Sequence, residues 1–298
     1  MKPRLKSPVQ QEQNRFVTSL LVIPVILLAI FSVAPAVRLV QLSFCKWKGL
    51  GPVEFNGLNN YATLFSNDEL GRVLLNVLAY VVIMLIQLFL ALFLAIILNN
   101  SIKGNKFFRS VIFLPYMLNG VAVAFMFNIL YNYDRGPINE FLRFIGLGDF
   151  APHWISADYS TNFSLALISL WRYTGFNMVV FLGGLQSVSN DLYEAADLDG
   201  ASFIQKVRYI TIPSIHTTFE INLLLGINGA LQAYFEPFVI TKGGPNGMTD
   251  TFVTKSIKYA FDFQNFGLAS ALAVVLIVMI VTFMMLSKWI GAKQGGKS

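Results

Sequence analysis

The residues whose side chains could do chemistry are concentrated in one apolar stretch. Residues 219–240 read FEINLLLGINGALQAYFEPFVI, where the amides of Asn222, Asn228 and Gln232 and the carboxylate of Glu236 interrupt hydrophobic residues. Amides and carboxylates without partners are costly in lipid, so these side chains must face a protein interior or an aqueous cavity. They could line a site for a hydrogen-bonding solute, or they could join helix to helix. Both interpretations stay open here.

The sequence lacks the residue groupings that catalysis or metal binding requires. His153 and His216 are far apart and have no Cys or carboxylate grouped around them. Cys45 is the only cysteine, which excludes an internal disulfide. Residues 291–298 read GAKQGGKS and formally match a phosphate-binding loop, but such a loop needs a preceding strand and a following helix. We therefore predict no enzyme, no metal site and no cofactor bound by this chain.

The elements that position these residues are predicted to be membrane helices. The 298-residue chain is 55% hydrophobic and only 13% charged, whereas soluble domains carry about 25% charged residues. The net charge of +6 does not indicate nucleic acid, because Lys and Arg flank apolar segments and form no basic stripe among aromatics. The apolar run from Phe16 is too long for a signal peptide and is predicted to be a retained helix.

Six apolar stretches are long enough to cross a bilayer, which takes about 20 residues. They cover residues 16–42, 73–98, 111–131, 165–185, 219–240 and 268–290, and we number them as spans one to six. Their residues do not alternate between apolar and polar, which excludes barrel strands. We predict an all-α integral membrane protein with six transmembrane helices in a single domain over residues 16–290. Residues 1–15 and 291–298 would form tails.

The positions of Lys and Arg near the span ends predict that both tails are cytoplasmic. The N-terminal 15 residues and the compact loop KGNKFFR over residues 103–109 are the strongest indications. The basic residues assigned to this side are Lys2, Arg4, Lys6, Arg15, Lys103, Lys106, Arg109, Lys206, Arg208, Lys288, Lys293 and Lys297.

The segment between spans four and five is too polar to span and too apolar to be a simple loop. Residues 191–199 are good helix formers, with Asn190 or Asp191 as the N-cap. Gly200 is expected to break this helix, and a second short helical run is expected to end at Pro213. Carboxylates outnumber basic residues here, so anionic lipid headgroups would repel the segment, and a protein partner is the favoured interpretation.

This segment resembles the EAA signature of bacterial ABC-importer permeases. The matching motifs are Glu194-Ala195-Ala196, Asp199-Gly200-Ala201 and Ile210-Thr211-Ile212-Pro213, with Ile212 where the family usually has Leu. Two further motifs are similar to the sugar-type branch, which includes the maltose, multiple-sugar and glycerol-3-phosphate permeases. These are Thr241-Lys242-Gly243-Gly244-Pro245 and Phe266-Gly267. The resemblance extends over nearly the whole chain.

The resemblance implies a multi-subunit importer in the cell membrane of a bacterium or archaeon. The partners would be a homologous second permease, two ATPase subunits that carry ATP and Mg²⁺, and an extracytoplasmic substrate-binding protein. Residues 190–214 would contain a cytoplasmic coupling helix that docks into a groove of the ATPase. The implied coupling residues are Glu194, Ala195, Ala196, Asp199, Gly200, Ala201 and Pro213.

The resemblance also implies a sugar site near mid-membrane, formed by spans three, four and five. Aromatic faces would stack on a pyranose ring, and amides and hydroxyls would meet its hydroxyl groups. The implied substrate-binding residues are Tyr116, Asn119, Gly120, Trp171, Arg172, Tyr173, Phe176, Asn177, Asn228, Leu231, Gln232, Phe235 and Glu236.

Arg172 and Glu236 have two interpretations, because both are charges near span ends. They could extend to the membrane surface, or they could face the cavity. In the cavity Arg172 would suit an anionic sugar, whereas Glu236 would oppose one. Together the pair slightly favours a neutral polyhydroxylated substrate.

The loop over residues 132–161 contains Gly136-Pro137-Ile138-Asn139 and a helix-like run over residues 141–145. It resembles the scoop helix of sugar permeases, which with the loop over residues 243–245 would receive the binding protein.

The alternatives are an importer of glycerol phosphate or another polyol, and an ion-coupled secondary transporter. The latter predicts an intramembrane carboxylate relay and an internal repeat, and we find neither in the sequence.

Overall fold

In the computed structural model, which describes residues 8–99, 103–156 and 158–295, the chain is mostly helical. The α-helices are α1 (Pro8–Leu28), α2 (Ala34–Ser43), α3 (Asn59–Ser66), α4 (Asp68–Asn99), α5 (Asn105–Met117), α6 (Gly120–Leu130), α7 (Pro137–Phe144), α8 (Ser160–Gln186), α9 (Asn190–Leu198), α10 (Phe203–Lys206), α11 (Ile212–Ser214), α12 (His216–Leu231), α13 (Phe252–Ile257) and α14 (Phe266–Gly295). Short π-helical segments cover Ala29–Val33, Val207–Thr211, Pro237–Thr241 and Lys258–Asp262, and a 3₁₀ turn covers Gly148–Phe150. Strands β1 (Cys45–Lys46) and β2 (Glu54–Phe55) pair antiparallel.

Four helical stretches are each long and apolar enough to cross a membrane. They are Ser19–Ser43, Asp68–Asn99, Ser160–Gln186 and Phe266–Trp289, and they coincide with predicted spans one, two, four and six. Two more stretches qualify only if a bent pair of helices counts as one span. The described residues therefore contain four to six candidate spans.

Span three is broken into α5 and α6, which meet at 96°. Pro115 lies in the last turn of α5, and Leu118 is extended, with φ −72° and ψ 144°. The side chain of Asn119 then caps α6 by accepting hydrogen bonds from the backbone amides of Val121 at 2.9 Å and Ala122 at 3.3 Å. The predicted single helix is wrong here, because an N-cap residue inside the apolar run starts a new helix.

Span five is also irregular. Helix α12 ends at Leu231 and meets the preceding helical stretch at 69°. The chain leaves helical geometry after Gln232, and a π-helical segment follows from Pro237. Proline has no backbone N–H to donate, which opposes a continuous helix through this point. The Thr251 hydroxyl donates to the Ala233 carbonyl oxygen at 2.6 Å, so the break retains a hydrogen-bond partner.

Helical structure continues into both predicted tails. Helix α1 begins at Pro8, upstream of the predicted boundary at Phe16, and α14 continues through residues 291–295. The apparent phosphate-loop motif is therefore preceded by a helix and not by a strand, as predicted. Residues 1–7 and 296–298 of the predicted tails lie outside the described residues.

The centre of the bundle is the pair α4 and α8. One face of α4 is buried at helical spacing, and its Ala91 and Ala95 are completely buried. These small side chains permit close helix packing in lipid. Helix α8 packs on α5 through Gly175, where an added Cβ would collide with the carbonyl oxygen of Ile112.

The segment after span five is held to α4 and α8 by buried polar side chains. Asp250, 1% exposed, pairs with Lys258 Nζ at 2.9 Å. Asn76 of α4 donates to the Asp250 carbonyl oxygen at 2.9 Å, and Asn162 of α8 donates to the Met248 carbonyl oxygen at 2.8 Å. An added Cβ at Gly243, with φ +71°, would collide with the Asp250 carboxylate. This motif glycine therefore has a packing role.

We expect Gly175→Ala to destabilise the bundle, because the new methyl group would force α5 away from α8. Overpacking of this kind costs about 1–3 kcal/mol. The measurement is the melting temperature of the detergent-solubilised protein. Gly183→Ala is the matched control on the same helix, since nothing lies within 4 Å of an added Cβ there. An equal melting temperature for both variants would contradict the close α5–α8 contact.

Candidate functional site

A cavity of about 260 Å³ lies between α4, α5, α8 and α12. We call it the first cavity. Its polar lining comes from Gln87 of α4 and Asn177 of α8, and neither side chain carries a charge. Its aromatic lining is Tyr80, Tyr116, Tyr173 and Phe176, and the remaining lining residues are Ile83, Met84, Ser169, Leu225, Gly226, Gly229 and Ala230.

A second cavity of about 250 Å³ adjoins the first, and the two share Ser169, Tyr173 and Gly229 in their linings. It is bounded by the broken end of span five. The other residues that line it are Asn228, Gln232, Ala233, Tyr234, Phe235 and Glu236. Among these, the Gln232 amide donates to the Asn228 side-chain oxygen at 2.6 Å.

The first cavity has an aromatic wall built from two helices. Tyr116 of α5 stacks on Phe176 of α8, with ring centroids 4.7 Å apart and planes inclined by 26°. Tyr173 meets the Tyr116 ring edge-on at 5.9 Å. Tyr173 and Phe176 share a face because they are three residues apart on a helix. An aromatic wall beside free amides can bind a solute that has both apolar faces and hydroxyl groups.

Arg172 and Glu236 are buried, at 8% and 4% exposure, so extension to the membrane surface is wrong for both. Glu236 lines the second cavity and accepts a hydrogen bond from the Ser169 hydroxyl at 3.3 Å. Arg172 donates to the Leu118 carbonyl oxygen at 3.2 Å, and its guanidinium lies over the Phe235 ring at 5.5 Å. The two charges form no ion pair in the described structure.

Four residues predicted to contact substrate make packing or capping contacts in the described structure. Asn119 caps α6, and Arg172 supports the bend beside it. An added Cβ at Gly120 would lie 2.6 Å from the Phe235 ring, so this glycine permits close packing. Trp171 packs edge-on against another aromatic ring, that of Phe127, at 5.4 Å. None of these four residues lines either cavity.

The amide side chains of span five, whose role was left open, do not all lie in the same surroundings. Asn222 is fully buried and lines neither cavity; its side-chain amide donates to the Thr218 carbonyl oxygen of its own helix at 3.3 Å, and its side-chain oxygen has no hydrogen-bond partner among the described residues. Asn228, Gln232 and Glu236 line the second cavity.

Sequence reasoning missed the part of the cavity wall that α4 contributes. Tyr80, Met84 and Gln87 line the first cavity, yet the predicted site drew only on spans three, four and five. A signal was present, since Asn76, Tyr80 and Gln87 are the polar residues between residues 73 and 98. Their spacings of four and seven place them on one face of a helix.

The segment after α8 forms a helix–glycine–helix unit, as predicted. Helix α9 is capped by Ser189, whose hydroxyl accepts from the Asp191 amide at 3.3 Å, so the predicted caps Asn190 and Asp191 are wrong by one or two positions. Gly200 follows with φ +75°, a left-handed conformation that favours glycine. The second helical run begins after a capping box at Ser202 and ends at Ser214, one residue beyond Pro213.

The two arms of this unit are tied together and present an open surface. Lys206 Nζ pairs with Asp197 at 2.7 Å, and the Tyr193 and Thr211 hydroxyls lie 3.0 Å apart. A groove of about 290 Å³ passes Gly200, where nothing lies within 4 Å of an added Cβ. Ala196, Asp199 and Ala201 line this groove, Glu194 and Ala195 are exposed beside it, and Leu198 is 91% exposed.

Neither the two cavities nor the groove at Gly200 contains a set of metal ligands within the described residues. Within residues 8–99, 103–156 and 158–295, no group of three or more His, Cys, Asp or Glu side chains could hold a metal ion.

Comparison with known proteins identifies what the chain is similar to. Residues 87–294 match the family described as "Binding-protein-dependent transport system inner membrane component". A probable ABC transporter permease protein of Bacillus subtilis, YurN, is 32% identical over 93% of this chain and 97% of its own length. The trehalose/maltose transport system permease protein MalF of Thermococcus litoralis is 28% identical over 77% of each chain.

Among solved structures, a chain of a bacterial ABC transporter involved in the import of the acidic polysaccharide alginate has the same fold. Its TM-score is 0.78 at 23% identity, and the match covers 95% of this chain and 99% of that one. The chain therefore belongs to the family of inner-membrane components of binding-protein-dependent transport systems, and it is a multi-pass transport subunit rather than an enzyme.

Proposed function

We propose that this chain is the permease subunit of an ATP-driven importer for a neutral sugar or oligosaccharide, which it moves across the membrane by alternating access. The observation that carries the proposal is the pair of adjoining cavities inside a bundle of the transport family. Stacked aromatic rings and free amides are the groups that bind a sugar ring and its hydroxyls. The trehalose/maltose system to which the Thermococcus relative belongs supports the same substrate class.

The proposed arrangement has six spans, with α5 and α6 together forming the third, α12 and the segment after it forming the fifth, and both termini in the cytoplasm. Helices α4 and α8 end at the same side of the bundle, because Asn99 and Leu185 line one cavity together with Tyr193 of α9. Arg109 in the first turns of α5 lies at this end too, and it donates to the Leu98 carbonyl oxygen at 2.6 Å. The positive-inside rule assigns this end to the cytoplasm.

The unit formed by α9, Gly200 and α10 is the proposed coupling element. It would dock on one of two ATPase subunits that bind ATP and Mg²⁺, while a second permease completes the pathway. A stiff element is needed to transmit rigid-body motion, and the internal ion pair of Lys206 with Asp197 stiffens this one. An extracytoplasmic binding protein would deliver the sugar to the opposite end.

The alternatives are less well supported. Glycerol phosphate and acidic sugars would need a cation in the cavity lining, but Arg172 lines neither cavity and Glu236 places a carboxylate in the second one. An ion-coupled transporter would not need the exposed unit around Gly200. A neutral polyhydroxylated solute fits the cavity lining best.

The test of the substrate class is reconstitution of the full complex with its partner permease, ATPase subunits and binding protein in liposomes. We expect a neutral sugar to stimulate ATP hydrolysis through the binding protein, and an acidic oligosaccharide of equal length not to do so. Stimulation by glycerol phosphate or an acidic oligosaccharide alone would overturn the neutral-sugar proposal.

We expect Gly229→Leu to lower uptake about ten-fold without unfolding the protein. Gly229 lines both cavities, and nothing lies within 4 Å of an added Cβ, so the new side chain would fill the passage. A steric cost of about 1.4 kcal/mol lowers uptake about ten-fold. Uptake and melting temperature are measured together. Gly183→Leu, exposed on α8 outside the cavities, is the control, and equal uptake by both variants would contradict the proposed pathway.

We expect Gly200→Glu to uncouple ATP hydrolysis from uptake, because the added side chain would meet the ATPase surface. Strain at positive φ costs about 1–2 kcal/mol by itself, so the control must carry the same strain. Gly51→Glu does so, since Gly51 has φ +82° and open space around it. Uptake per ATP hydrolysed should fall for Gly200→Glu only, and equal values in both variants would argue against docking here.

A further inference from the structure

One face of α4 carries buried polar groups that have no partner among the described residues. Tyr80 is 3% exposed and Gln87 is 4% exposed. The Tyr80 hydroxyl has no hydrogen-bond partner among the described residues, and the Gln87 side chain makes no hydrogen bond to any of them. Leaving a buried polar group unpaired is destabilising. Polar groups that only joined α4 to its neighbours would be paired with those neighbours.

Both residues line the first cavity, and so does a third unpaired amide. Asn177 of α8 is 3% exposed and makes no hydrogen bond within the described part of the chain. The first cavity therefore has three unused polar groups on two helices. Its lining contains no Asp, Glu, Lys or Arg side chain, whereas the lining of the second cavity includes the Glu236 carboxylate.

We propose that α4 is a recognition element for the transported solute. Tyr80 and Gln87 bind hydroxyl groups of a neutral saccharide while it occupies the first cavity, beside the stacked rings of Tyr116 and Phe176. Together with Asn177 they determine specificity for uncharged sugars at this point of the pathway. This inference rests on the proposed sugar transport and adds α4 to the spans that contact the sugar.

The first test asks whether α4 faces the aqueous pathway, and it needs no transported sugar. Cys45 is the only cysteine, so Cys45→Ser removes background labelling. Gln87→Cys is added and labelled in the reconstituted complex with the charged reagent 2-sulfonatoethyl methanethiosulfonate. We expect it to react at least about ten-fold faster than the controls, because only a hydrated thiol ionises and reacts.

Two control variants on the same helix are labelled for comparison. Ala91→Cys lies on the packed face, at 0% exposure, and Phe89→Cys lies on the outward face, at 64% exposure. If Gln87→Cys is labelled no faster than Ala91→Cys and no faster than Phe89→Cys, the proposal is overturned, since α4 would then not border the pathway.

The second test measures recognition. Uptake of trehalose, maltose, cellobiose and raffinose is compared for Tyr80→Phe, Gln87→Leu and the control Leu88→Met, a buried neighbour outside the cavity lining. We expect KM to rise about five-fold for each of the first two variants, as for loss of one neutral hydrogen bond. The control should keep the original KM. The melting temperature of Tyr80→Phe should not fall, because the lost hydroxyl has no hydrogen-bond partner in the part of the chain that the structure describes.

The outcomes separate this inference from the proposed function. Unchanged KM in both α4 variants, with normal uptake by the original complex, overturns recognition by α4 and leaves the sugar importer standing. A raised KM with a lowered melting temperature for Tyr80→Phe overturns it too, since the hydroxyl would then have a structural role. If the original complex takes up none of the four sugars, the neutral-saccharide proposal itself fails.

Discussion

Backbone groups freed by a break in a membrane helix must find partners inside the protein, because the hydrocarbon core offers no water to satisfy them. Both breaks beside the cavities obey this constraint. At the first, Arg172 donates to the carbonyl oxygen of Leu118, and Asn119 caps the helix that follows. At the second, the Thr251 hydroxyl donates to the carbonyl oxygen of Ala233. Irregular backbone is possible here because side chains replace the lost helical hydrogen bonds, and the cavities lie where the helices part.

The arrangement of glycines separates the parts that must pack from the parts that must stay open. Gly120 and Gly175 lie where neighbouring atoms leave no room for a Cβ, so they hold α6 and α8 close to their partners. Gly229 and Gly200 have nothing within 4 Å of an added Cβ. Gly229 borders the cavities, and Gly200 borders the groove beside α9. Close packing thus keeps the bundle rigid between two sites that require free space.

Much of the fold could be predicted because its signals are local. Hydrophobic length alone identifies spans one, two, four and six, since a helix in lipid satisfies its own backbone. Gly200 ends α9 as predicted, because a left-handed residue favours glycine. The helix breaks at Leu118 and Gln232 were missed. The side-chain donors that stabilise these breaks belong to residues far away in the sequence.

The residues of the candidate site were likewise predictable only in part from the sequence. The sequence by itself determined the helical membrane class, the helix–glycine–helix unit, and the aromatic and amide residues available for a site, because each depends on residue type and spacing along one helix. Only the tertiary structure decided which of them line a cavity. It placed Tyr116 and Phe176 in one wall, assigned Asn119 and Arg172 to the bend, and added Gln87 from α4. The physical reason is that a cavity is the space left between several packed helices, and no single helix carries the information about where its neighbours lie.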